Sequence, residues 1–118
     1  MANLQQQNKT FHKLALPTVD GIRFFLPQDI IRCEGMSNYT KFYIVNHNPI
    51  ITSKTIKEYE EILIPHNFKR IHKSHLINAA FVSGYISPTS NIVMKDGSHV
   101  EISRRRKREV LQALGIKN

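Results

Sequence analysis

The segment FKRIHKSHLIN, residues 68–78, sets two histidines, a serine and three basic residues among large apolar side chains. Several chemistries have to be weighed for it. His72 and His75, with His66 nearby, suggest a metal site. Zinc-binding histidines on a helix stand four apart, commonly with an acidic or third ligand close by. Here the spacing is three, and no Asp or Glu occurs between Glu61 and Asp96. Arg70 and Lys73 beside the pair would repel a dication, so no metal or other cofactor is expected. Ser74 with either histidine, or Cys33 alone, offers a nucleophile. The chain nevertheless has no G-x-S-x-G elbow, no phosphate-loop glycine pattern and no H-E-x-x-H. Cys33 follows Ile30 and Ile31 in an apolar run, where a thiol packs more often than it reacts. These residues point away from an enzyme. The structural role open to the segment is anchoring: Leu76 and Ile77 belong in a core, assisted by Phe68 and Ile71, with one histidine half-buried and hydrogen-bonded. Lys69, Arg70 and Lys73 still need a partner, and phosphate suits them.

Two further clusters carry the same chemistry. SRRRKRE, residues 103–109, places five bases in succession before one acid. If Ser103 caps a helix there, each exposed base in the first turn is unfavourable by about 0.3–1 kcal/mol against the helix dipole. A bound anion reverses that sign, because backbone N–H groups and guanidinium forks then act together. In EGMSNYTKFY, residues 34–43, a polar turn gathers Ser37, Asn38, Tyr39, Thr40 and Lys41. Asn can pair bidentately with adenine, and hydroxyls can donate to phosphate.

The clusters stand in a chain of 118 residues carrying 17 Lys and Arg against 9 Asp and Glu, a net charge of +8 and a pI near 9.9. A localised positive surplus points to a polyanionic partner, most often nucleic acid; an interaction module meeting an acidic protein is the alternative. At 41% apolar residues the chain can fold as one domain with a single modest core. No apolar run approaches the roughly 20 residues that span a bilayer, and MANLQQQNKTFHK lacks the apolar stretch of a signal peptide. The lone Cys33 cannot form an internal disulfide. A cytoplasmic protein without membrane partners is the expectation.

The elements that must position these clusters are mostly short strands. Residues 1–11 read as a flexible tail or linker remnant, and residues 12–118 as the folded domain. HKLALPT and GIRFFLP flank an Asp20–Gly21 turn and predict a hairpin. DIIRCEG, closed by Gly35, then YTKFYIV and IITSK are further strands, as are YIS, NIVMK and HVEIS after Gly84. The spacing in TIKEYEEILIP predicts a helix with an apolar face at Ile56, Tyr59, Ile62 and Leu63. Thr55 and Glu58 would form its capping box, and Pro65 would end it. Its acidic face, Glu60 included, is expected to point away from any polyanion. The chain closes on a second helix with Val110, Leu111 and Leu114 inward and Gly115 as its stop. The pattern is mainly β and antiparallel.

Taken in order, DIIRCEGMSNYTKFY, ITSKTIKEYEEIL, FKRIHKSHLINAAFVSGY and IVMKDGSHVEISRRRKREV resemble the LytTR (LytR/AlgR-type) DNA-binding domain of bacterial response regulators. The likeness covers about residues 12 to 112. Lys73 stands where Arg is common in the family, and His75 where Tyr or Phe is usual. The resemblance implies an elongated antiparallel β fold with short helices, not a helix-turn-helix. It implies sequence-specific duplex binding by the output domain of a two-component transcription regulator, with loops at one edge reading successive major grooves. By position, Ser37 to Lys41 form the first loop, with Asn38, Tyr39 and Thr40 nearest DNA. His72, Lys73 and Ser74 form the second, and the SRRR stretch with Arg104, Arg105 and Arg106 the third, Arg104 and Arg105 foremost. Paired direct-repeat sites, bound by two copies as a homodimer on DNA, are also implied, as is a receiver domain or an upstream histidine kinase.

Overall fold

Side chains alternate across a strand, and in this chain that alternation serves two cores. The structure, a computed structural model, describes residues 12–116; the expected tail over residues 1–11 lies outside them. β1 (Leu14–Thr18) and β2 (Gly21–Phe25) form a hairpin. Its turn residues are Val19 and Asp20, one position earlier than the Asp-Gly reading, with Gly21 already paired to Thr18. A five-stranded sheet in the order β5-β4-β3-β7-β6 is built from β3 (Ile30–Met36), β4 (Tyr39–Ile44), β5 (Ile50–Thr52), β6 (Phe68–His72) and β7 (His75–Asn78). β8 (Val82–Ile86), β9 (Asn91–Met94) and β10 (His99–Glu101) make a third sheet. Two short helices, α1 (Ile56–Leu63) and α2 (Lys107–Ala113), stand five strands apart in the chain, so they form no helix-turn-helix. The described residues extend 47 × 37 × 24 Å.

The five-stranded sheet is buried on both faces, so the expected single core is two. On one face Cys33, Phe42, Ile44, Phe68 and Leu76 pack against Leu14 and Leu16 of the hairpin and Ile56, Tyr59 and Leu63 of α1. On the other, Ile31, Ile71 and Ile77 meet Ile92, Met94, Val100 and Ile102, with Val110 and Leu111 of α2. Each such side chain contributes roughly 1.5–3 kcal/mol on burial. FKRIHKSHLIN is the β6–β7 hairpin itself. Strand alternation alone sends Phe68 to one core and Ile71, three residues on, to the other, and a bulge follows between Arg70 and His72.

α1 forms where expected, with Thr55 N–H donating to Glu58 Oε2 at 2.8 Å. These bonds hold the Glu58 carboxyl below its ordinary pKa. Ile62 is not on the buried stripe; it is 44% exposed. The inward positions 56, 59 and 63 follow the helical repeat, which carries position 62 aside. Gly35 does not close β3 but lies within it, opposite Thr40. A Cβ there would come 3.0 Å from Ile56 Cγ2, so the glycine lets α1 approach the sheet.

Candidate nucleic-acid interface

The polar clusters meet at one end of the five-stranded sheet. β3 and β4 are joined by the two-residue turn Ser37–Asn38, and β6 and β7 by Lys73–Ser74. Because Glu34 pairs with His75, both turns project from the same end. They are bonded directly: Gly35 N–H donates to Ser74 O at 2.8 Å. The third cluster joins through Ser103, whose N–H donates to Ile71 O at 2.9 Å beside the end of β6.

At the tips, Ser37 and Asn38 are exposed, as is Tyr39 at 54%. Ser37 has φ 59, a left-handed conformation that the tight turn requires. Lys73 is exposed and Ser74 half-buried. Arg104 and Arg105 are exposed and Arg106 is half-buried. Ser103 does act as a cap, its Oγ accepting from Arg106 N–H at 3.3 Å, but of a 3₁₀ turn over Arg104–Arg106. α2 begins only at Lys107. The arginines therefore precede the helix, and the dipole argument does not apply to them.

Behind the tips, Lys41, Glu34, His75 and His72 form one row across four strands. The two imidazoles lie 5.0 Å apart. Burial, then the neighbouring His72, pulls the His75 pKa below its ordinary value. His72 Nδ1 accepts from Ser74 N–H at 3.0 Å, and its Nε2 lies 3.8 Å from Glu101 Oε1. The acids missing from the neighbouring sequence thus arrive from β3 and β10. Even so, no three metal-binding side chains gather among the described residues. Cys33 is fully buried, and that burial pushes its thiol pKa far up, leaving a neutral packing residue.

Three expected positions differ in the structure. Thr40 is fully buried, its hydroxyl donating to Lys54 O at 2.7 Å, because it sits on the core-facing side of β4. It is a structural residue, unlike its neighbour Tyr39. Lys41 is half-buried, with Nζ 5.2 Å from the centre of the Tyr43 ring. Arg70 turns inward: it pairs with Glu60 of α1 and donates to the backbone carbonyls of His72 and Lys73. Glu60, expected to face away, therefore supports the turn from beneath.

His72 and Arg104 share a cleft of about 510 Å³ with Glu101, Lys107, Thr89 and Ser90. Thr89 and Ser90 lie between β8 and β9, and Lys107 opens α2. Lys107 belongs to the SRRRKRE cluster, whereas Thr89 and Ser90 carry no signal in the sequence, since Pro-Thr-Ser is an ordinary turn composition.

The family model described as the LytTr DNA-binding domain matches residues 20–115. "Sensory transduction protein LytT" of Bacillus subtilis (strain 168) is 29% identical over 108 residues, covering 89% of this chain and 44% of that protein. The protein of the same name from Bacillus anthracis matches to the same extent. The chain thus spans less than half the length of these curated relatives. Among solved structures, a LytTr DNA-binding domain of a methyl-accepting/DNA response regulator from Bacillus cereus superposes with a TM-score of 0.75 at 20% identity, over 88% of this chain and 97% of that one. With a family match over most of its length and the fold to accompany it, the chain belongs to the LytTr DNA-binding domain family.

Proposed function

We propose that this chain binds duplex DNA sequence-specifically, as the output domain of a bacterial transcription regulator of the two-component type. The observation that carries the reading is the convergence of three polar clusters at one end of one sheet, tied by the Gly35–Ser74 and Ser103–Ile71 backbone bonds. In this reading Asn38, Tyr39, Lys73, Arg104 and Arg105 supply side chains to base edges and phosphates, with Ser37, Ser74 and Arg106 at their flanks. His72 and Lys41 act from the row behind. Phosphate contacts position such a protein and base contacts specify its site. Paired direct repeats bound by two copies, and control by a receiver domain and histidine kinase, belong to the same reading.

Selection of bound sequences from random duplex DNA tests it. The expected outcome is an enriched motif repeated at a spacing of about one helical turn, ~10 bp. Enrichment of a single unrepeated motif would remove the two-copy part. No enrichment at all would favour the alternative, a basic module recognising an acidic protein.

A further inference from the structure

We propose that Arg70 and Glu60 are positioning residues, a half-buried clamp that holds the β6–β7 turn in the shape that meets DNA. The proposal rests on the DNA-binding reading above, and it places part of the recognition machinery on the acidic helix α1.

Four backbone polar groups at this tip, the carbonyls of His72, Lys73 and Ser74 and the N–H of Ser74, are held from inside the protein. Arg70 Nε donates to His72 O at 2.8 Å, and one terminal nitrogen of the same guanidinium donates to Lys73 O. The other terminal nitrogen pairs with Glu60 Oε1. Ser74 N–H is taken by the His72 ring, and Ser74 O by Gly35 N–H. With its carbonyl turned toward Arg70, Lys73 is left with an outward, exposed side chain. The orientation of two successive peptide planes thus fixes where Lys73 and Ser74 point.

One guanidinium serves three acceptors in three directions, which an ammonium point charge does not reproduce. The Arg70 side chain is only 11% exposed, so a phosphate has little access to it. A charge so placed needs a partner, and Glu60 supplies it. The pair lies in a groove of about 130 Å³ lined also by Arg106, Glu109 and Val110, so the clamp joins α1 and β6 next to the arginine turn.

The sign of one substitution distinguishes a clamp from bulk electrostatics. Removing an acid near a polyanion should strengthen binding. Glu60→Gln should instead weaken binding to the selected duplex on the order of tenfold, the scale of one misplaced base contact. The slope of log affinity against log salt should stay unchanged, because no phosphate contact is lost. Glu61→Gln removes the same charge from an exposed neighbouring position and serves as the control, with affinity equal to the parent or slightly higher. Arg70→Lys should resemble Glu60→Gln rather than the parent. Amide exchange of Ser74 and Gly35, read in variants whose melting shows them folded, should accelerate in Glu60→Gln and not in Glu61→Gln.

If Glu60→Gln binds as Glu61→Gln does, or if Arg70→Lys lowers the salt slope by a whole phosphate contact, the clamp is overturned. If the parent protein shows no duplex preference, the DNA reading fails by itself. Exchange at Ser74 and Gly35 then decides whether the pair holds the turn, and unchanged exchange removes the clamp as well.

Discussion

Arg104 lies exposed at the mouth of the cleft it shares with His72, while Thr40 lies at the foot of the neighbouring turn with its hydroxyl spent on Lys54 O. Both carry polar groups suited to DNA, and their surroundings separate them. A guanidinium free to move over a base edge can form a bidentate pair with guanine, worth about 1–3 kcal/mol of discrimination. Arg104→Ala is therefore expected to weaken binding to a selected target by about that amount and to relax preference at one base position. Titration against a panel of single-base variants checks it. A uniform loss across the panel would make Arg104 a phosphate contact instead. The same surroundings explain why residue types alone misplace Thr40 and Arg70. Composition says which groups a side chain carries, whereas the strand face it occupies decides whether those groups are already satisfied.

At the scale of elements, the contact between β3 and α1 depends on Gly35. A methyl group there would press on Ile56 Cγ2 at 3.0 Å. Overpacking of this kind costs typically 1–3 kcal/mol, so Gly35→Ala should lower stability by about that much in denaturant unfolding. An unchanged midpoint would mean that Ile56 yields without cost. The first hairpin, the capped α1, and β3 and β4 were legible from alternation, turn residues and the Thr55–Glu58 box. The β6–β7 hairpin was not. Its turn is Lys73–Ser74, without the Asn, Asp or Gly that usually marks a two-residue turn. Its apolar residues, Phe68 and Leu76 on one face and Ile71 and Ile77 on the other, serve both cores, so no single apolar-polar alternation marks the strands.

For the whole molecule, the net charge of +8 supplies a long-range attraction to any polyanion before specific contacts form. Affinity for duplex DNA should fall linearly in log salt, with a slope of roughly −0.9 per phosphate neutralised. Binding that is unchanged between low and high salt would remove the electrostatic account. The three clusters were visible in the sequence as local compositions; their meeting was not, since it depends on β3 pairing with β7 across some 40 intervening positions. That pairing has a consequence for how such a domain can diversify. The sheet is complete, packed on both faces and hydrogen-bonded up to Met36, Tyr39, His72 and His75. Only the residues beyond those four ends are unburdened by either core. Asn38 and Lys73 can thus be exchanged as interchangeable lettering on a fixed type block. Ser37 alone restricts the alphabet, to residues that accept a left-handed backbone.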